Sequence, residues 1–197
     1  MLSVGIIEEL TFNKKCYINN ITFPLGYISA IRAGQGTGKT FQALRFANAQ
    51  KSVLAISHRV SLVKGLQEKA NEGMEGKWAV YDKLGGTEMN DKNHLISTLH
   101  SAHKFAHSRT KLKPYDVVLL DEIIQQLKEL TGSIEYKQAI LEVLRFFLSN
   151  AKHIILMDAD LNSESIRFIQ SLAGGKPVKC FLYPPTNRYQ SKHYTDK

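Results

Sequence analysis

Short apolar runs recur along the chain, each about the length of a strand and most followed by a stretch of helix-forming residues. They cover residues 26–32, 52–57, 95–99, 115–122, 153–157 and 178–183. Runs this brief, rich in Val, Ile and Leu and bounded by polar residues, predict strands buried on both faces of a parallel sheet. Between them, apolar residues return every three or four positions. Leu62, Val63 and Leu66 mark one such stretch, and Ala139, Ile140, Val143, Leu144 and Phe147 mark another. That spacing predicts helices over residues 60–71 and 134–150, the second capped by Ser133. Further helices are expected over 41–50, over 123–130, and from a cap at Asn162 or Ser163 to about Leu172, where Gly174 and Gly175 stop the chain. Strands alternating with helices predict an α/β domain, a mainly parallel sheet flanked by helices on both faces.

The remaining stretches are less regular. Residues 4–7 and 16–23 carry β-branched and aromatic side chains and predict short flanking strands, arranged as a hairpin, before Pro24 and Gly26 break the chain. Residues 72–93 read as loop, interrupted by a short strand at 78–81. Trp78 and Tyr81 there have the planar rings that stack on bases, but core packing is the favoured expectation. His100, His103 and His107 share one helical face. Imidazoles so spaced can chelate a metal, yet no carboxylate or cysteine adjoins them in sequence, and a polar helix face near nucleic acid is the preferred reading. Pro184 and Pro185 end regular structure, and the basic stretch 186–197 reads as a linker.

The chemistry concentrates in residues 33–40, Ala-Gly-Gln-Gly-Thr-Gly-Lys-Thr, which lie between a strand and a helix. Three glycines let the backbone curl so that successive N–H groups face phosphate oxygens, and the helix start adds its unpaired amides. Lys39 then reaches the β- and γ-phosphates and the Thr40 hydroxyl ligates Mg²⁺. Ala33, Gly34, Gln35, Gly36, Thr37, Gly38, Lys39 and Thr40 are therefore the expected nucleotide cradle, with ATP and Mg²⁺ as the cofactors. The run at 115–122 ends in Asp121-Glu122. Placed at the end of a strand beside the loop, Asp121 holds Mg²⁺ and Glu122 deprotonates the attacking water. Apolar strands ending at Ala33, Ser57, Asp121 and Asp158 bring their loops to one sheet edge, where open α/β sheets bind ligands.

Composition changes the picture in one respect. The formal charge of +8 and a pI near 9.4 fit a polyanionic partner, nucleic acid first, or a solubilising surface. No apolar run is long enough to span a bilayer, and no basic stretch precedes an apolar segment at the start. The expectation is a soluble, intracellular chain without a membrane partner. Cys16 and Cys180 lack metal-ligand spacing and fit free thiols in a reducing compartment.

These motifs resemble a family. Ala33-x-x-Gly36-x-Gly38-Lys39-Thr40 is similar to motif I of the superfamily-2 helicases, and Asp121-Glu122-Ile123-Ile124 to their motif II. Ser57 to Leu62 resembles motif Ia, Ser97 to Ser101 sits where a further nucleic-acid motif is expected, and Asp158-Ala159-Asp160-Leu161 falls at motif III. The nearest group is the origin-of-replication-binding helicases of herpesviruses and their phage and plasmid relatives. The resemblance implies a RecA-like P-loop NTPase domain over 26–185, with flanking strands at 1–25 and a linker at 186–197. That linker would lead toward a second RecA-like domain, supplied in cis or in trans. It implies ATP-driven helicase or translocase activity in DNA replication, with DNA favoured over RNA. The place of work would be the cytoplasm of a bacterial or phage-infected cell, or a site of viral DNA replication. His58, Arg59, Ser97 and Thr98 would face nucleic acid. Asp158 and Asp160 would couple that site to ATP, or simply cap the next helix. A nucleotide-dependent binding module with little turnover is the competing reading. A small-molecule kinase fits less well, because no arginine-rich lid is evident.

Overall fold

The computed structural model describes residues 5–10, 18–57, 60–71, 78–132 and 135–182. Among these, eight strands form one sheet: β1 (Ile6–Glu9), β2 (Ile28–Arg32), β3 (Val53–Ser57), β4 (Ala79–Val80), β5 (His94–Thr98), β6 (Val117–Asp121), β7 (His153–Asp158) and β8 (Val178–Leu182). Every pairing among them is parallel, and the order is β1-β8-β2-β7-β6-β3-β5-β4. The helices are α1 (Lys39–Asn48), α2 (Val60–Asn71), α3 (Gly86–Asp91), α4 (His103–Ala106), α5 (Ile123–Thr131), α6 (Lys137–Asn150) and α7 (Ser163–Leu172).

The sheet splits the core in two, and the period-2 alternation of each strand decides which side a residue serves. On β6, Val117 and Leu119 join Ala43, Leu44, Ala47 and Leu66 of α1 and α2. Val118 and Leu120 join Leu130, Val143, Phe147 and Ile169 on the opposite face. Both faces of the central strands are covered, which is why those strands read as unbroken apolar runs. Trp78 belongs to the α1–α2 face and donates its indole N–H to Asn48 Oδ1 at 2.7 Å, as the core expectation has it.

Several expectations need correcting. Among the described residues β1 has no hairpin partner: it pairs in parallel with β8 and extends the main sheet. Apolar content alone cannot distinguish a hairpin from a parallel edge strand, because the pairing partner lies far away in sequence. The stretch at 78–93 holds more than a strand, since a 3-10 turn at Tyr81–Lys83 and α3 follow β4. Glu88 accepts the Gly85 N–H at 2.8 Å and so fixes the start of α3 within a glycine-bearing segment. Helix α6 begins at Lys137, behind a left-handed Tyr136, and Ser133 lies outside the described residues. Cys16, residues 72–77 and the stretch 183–197 also lie outside them.

The most consequential correction concerns strand order. The strand ending in Asp121 does not lie beside the phosphate-loop strand. β7 sits between them, so the neighbour of β2 on that side ends in Asp158. The crossover through α5 and α6 returns the chain into the gap between β2 and β6, and only long-range pairing reveals this.

Candidate functional site

Register aligns the edge at which the candidate residues meet. Arg32 of β2 is level with Asp158 of β7, Met157 of β7 with Asp121 of β6, and Ser57 of β3 with Thr98 of β5. Strand ends from the phosphate loop to β5 therefore open on one side of the sheet, as inferred from the apolar runs.

The loop has the backbone that a phosphate cradle needs. Gly36 and Gly38 take φ of 74° and 81°, a region that L side chains rarely adopt, so glycine is required at both. Gly38 is the residue before α1, which leaves the first amides of that helix without side-chain caps. Ala33 is buried against the core beside Ile31, which explains a small apolar residue there. Lys39 Nζ donates to Gly34 O at 3.1 Å and Thr37 Oγ1 donates to the same carbonyl at 2.9 Å. The Ile18 N–H donates to Thr37 O at 2.8 Å, and Gln42 Nε2 donates to Ile18 O at 3.0 Å. The flanking segment thus braces the loop from outside, a role its sequence does not signal.

Asp121 ends β6 half-buried, and burial pushes its carboxyl up to about 6. Lys39 acts in the opposite direction, while the Glu122 and Asp158 charges raise it further. A desolvated carboxylate facing a lysine and two other carboxylates suits a divalent cation, since the cation offsets the charge that burial penalises. Glu122 leaves the strand with φ 55° and ψ 48°, left-handed values that are uncommon for a side-chain-bearing residue, and caps α5 with no side-chain bond. Its N–H is held by Met157 O at 2.9 Å. The carboxylate is therefore not occupied in capping, and backbone strain of this kind concentrates at functional positions.

Asp158, only 8% exposed, does the capping instead. Its Oδ2 accepts the Ile124 N–H of α5 at 2.9 Å and its Oδ1 accepts the Asp160 N–H at 2.9 Å. The start of α7 is capped by Asn162, whose Oδ1 accepts the Ser165 N–H at 2.9 Å. Asp158 thus ties the end of β7 to the helix that follows Asp121-Glu122, and Asp160 is exposed.

On the other half of the edge, the hydroxyls of Ser97 and Thr98 turn inward. Ser97 Oγ donates to Thr98 O at 3.2 Å, and Thr98 Oγ1 donates to Ser101 Oγ at 3.1 Å. Both residues are buried. His58 and Arg59 lie outside the described residues. Among the histidines, His100 Nε2 meets Glu129 of α5 at 3.1 Å, a carboxylate brought in by the fold and not by sequence proximity. Among the described residues, no three metal-ligating side chains converge.

A buried glutamine escaped sequence reasoning. Gln126, fully buried in α5, donates through Nε2 to Asp121 O at 2.6 Å and to Ile56 O at 3.1 Å. It locks the end of the acidic strand to the end of β3. Its sequence signal is slight: one of two adjacent glutamines in an amphipathic helix.

Comparison with known proteins agrees with this fold. Residues 15–189 match the family model described as origin of replication binding protein. A putative replication origin binding protein of Escherichia phage T5 is 30% identical over 168 residues, covering 81% of this chain and 17% of that one. The replication origin-binding protein of Varicella-zoster virus (strain Dumas) is 29% identical over 156 residues, covering 77% of this chain and 18% of its own. The chain thus spans less than a fifth of the length of these relatives. Among solved structures, a hypothetical ATP-dependent RNA helicase from Sulfolobus tokodaii superposes with a TM-score of 0.60 at 18% identity, over 79% of this chain and 48% of that one. The SWI2/SNF2 ATPase core of Sulfolobus solfataricus gives 0.56 at 16% identity, over 78% of this chain and 32% of that one. At such identities the likeness is one of fold, that of a RecA-like helicase domain. On the match across residues 15–189, the chain belongs to the origin of replication binding protein family.

Proposed function

We propose that the chain is the ATP-binding first motor domain of a replication-origin helicase, coupling ATP hydrolysis to movement on DNA. One observation carries this reading: the glycine loop that ends in Lys39 and the strand that ends in Asp121 open on the same sheet edge, with Asp158 ending the strand between β2 and β6, and the Lys39 charge pulls the half-buried Asp121 carboxyl down against the effect of burial. The loop amides and the start of α1 would bind the phosphates, and Lys39 would leave Gly34 O for the β- and γ-oxygens. Thr40 and Asp121 would hold Mg²⁺, which when bound neutralises charge on the transferring phosphoryl group. Glu122 would orient and deprotonate the attacking water. A second RecA-like domain beyond a linker at 186–197 would supply the arginine that stabilises the transition state. Its contribution can reach about a thousandfold or more, so this chain alone should turn over slowly.

The test is nucleotide titration of Lys39→Ala, with folding checked by circular dichroism. Loss of ATP binding in a folded variant is the expected result, and near-normal affinity overturns the phosphate-loop assignment. For DNA, affinity should fall steeply with salt as counterions are released, and Arg59→Ala should flatten that slope by about one. Absence of DNA binding at low salt overturns the nucleic-acid part and leaves a nucleotide-dependent module.

A further inference from the structure

Beyond the end of β5 lies an aromatic cluster that the nucleotide chemistry does not use. The imidazole of His103 lies flat against the ring of Tyr136, with centroids 4.6 Å apart and planes 18° from parallel. His107 stands edge-on to both, at 6.1 and 6.3 Å. His103 Nδ1 is in turn held at the His100 carbonyl, and the neighbouring Glu135 carboxylate pushes the phenol's pKa up. The ring of Tyr136 is thus backed on one face, while the residue as a whole is 50% exposed.

Tyrosine is a costly choice at this position. Tyr136 has φ 59°, a left-handed value that glycine or asparagine adopts with less strain, and it contributes no side-chain cap to α6. Neither capping nor core packing accounts for a large exposed ring held there. Strain retained at an exposed aromatic points to a ligand for its open face.

We propose that Tyr136, backed by His103 and steadied by His107, is a stacking platform for a base of single-stranded nucleic acid. The inference rests on the nucleic-acid reading above and names where that contact is made. Every base offers a π face, so such a platform binds without sequence preference. The Glu135 carboxylate at the phenol, and Glu129 beside His100, oppose a phosphate here and leave the base as the fitting part of the strand. The platform also supplies what the inward-turned hydroxyls of Ser97 and Thr98 do not: an exposed group at this end of the sheet.

The test compares binding of a fluorescent mixed-sequence oligonucleotide with that of an abasic strand of equal length, by anisotropy, on the full chain. The wild type should prefer the base-bearing strand by about tenfold, the order of one stacked base. Tyr136→Asn should erase that preference, keep the affinity for the abasic strand, and melt no lower than wild type because asparagine accepts the left-handed backbone. Tyr136→Trp should retain the preference. If Tyr136→Asn keeps the full preference, the ring is structural and the platform is wrong, while the nucleic-acid reading stands. If the wild type binds neither strand, the nucleic-acid reading fails and takes the platform with it.

Discussion

At the phosphate-loop half of the sheet edge, Thr37, Lys39, Thr40, Asp121 and Glu122 keep their polar groups within reach of solvent. At the β3–β5 half, Ser57, Ser97 and Thr98 are sealed inside, although Ser57 and Thr98 end apolar strands as Asp121 does. The difference lies in what each residue type can do with its own backbone. A hydroxyl beside a turn readily bonds a neighbouring carbonyl or hydroxyl, as Ser97 and Thr98 do. A carboxylate followed by a left-handed residue cannot cap its own helix, and here Asp158 takes that task. The charged end of β6 therefore stays open to solvent here where the hydroxylated ends of β3 and β5 do not.

The sharpest way to break this contrast is Glu122→Gln. The variant keeps the side chain's shape and removes the proposed base. ATP binding should persist while hydrolysis falls by between about a hundredfold and ten-thousandfold. Single-turnover hydrolysis measured beside equilibrium nucleotide binding checks it. Unchanged turnover would mean that Glu122 only shapes the start of α5.

Asp121→Asn tests the cost of keeping a carboxylate at that edge. Its folded-state pKa, about 6, lies above the ordinary value of 3.8, so the native state holds the proton more tightly than the unfolded chain does. The group's contribution is most favourable below 3.8, falls as pH rises through the window from 3.8 to 6, and is lost above it. An amide in its place has no charge to bury. The variant should be more stable than wild type by up to about 3 kcal/mol near neutral pH, an advantage that shrinks toward pH 4. Thermal melting at both pH values decides. A variant of lower stability at neutral pH would show that Lys39 already compensates the charge. Magnesium-dependent nucleotide binding should weaken in the same variant.

Gln126→Leu addresses the link between the two halves. It removes the donor shared by the Asp121 and Ile56 carbonyls, of which Ile56 stays within the β3–β6 ladder, and a buried acceptor left unsatisfied costs about 1–3 kcal/mol. A loss of about 2 kcal/mol is expected after partial relaxation. The effect of bound nucleotide on DNA affinity should shrink as well, because β3 and β6 would then meet only through ladder bonds. Chemical denaturation gives the first quantity, and DNA titration with and without nucleotide gives the second.

These cases mark what was legible. The apolar runs revealed the strands because burial on both faces leaves little other choice of residue, and the glycines revealed the loop because positive φ at Gly36 and Gly38 admits little else. Strand order was not legible, since the position of β7 depends on pairings between segments far apart in the chain. Gln126, and which helix Asp158 caps, were obscured for a related reason: each side chain serves backbone groups on another element. Tyr136 carried no signal at all, because an αL backbone is announced by glycine or asparagine and not by tyrosine.

The smallest effect concerns Ser57, and it separates a silent hydroxyl from a functional one. Its Oγ is buried at the end of β3 and has no hydrogen-bond partner among the described residues. Gln126 Oε1 is likewise buried and without a partner among them, on the side chain whose Nε2 holds the adjoining Ile56 carbonyl. An unpartnered hydroxyl in the core is a cost that alanine removes, at the price of a void smaller than a water molecule. If Ser57 is silent, Ser57→Ala should raise stability by about 0.5–1 kcal/mol and leave DNA affinity within about twofold. The opposite pattern, unchanged stability with DNA binding weakened several-fold, would mean that the hydroxyl swings outward to meet a phosphate. The β3 end would then belong with the loop end of the edge, and the contrast between the two halves would dissolve.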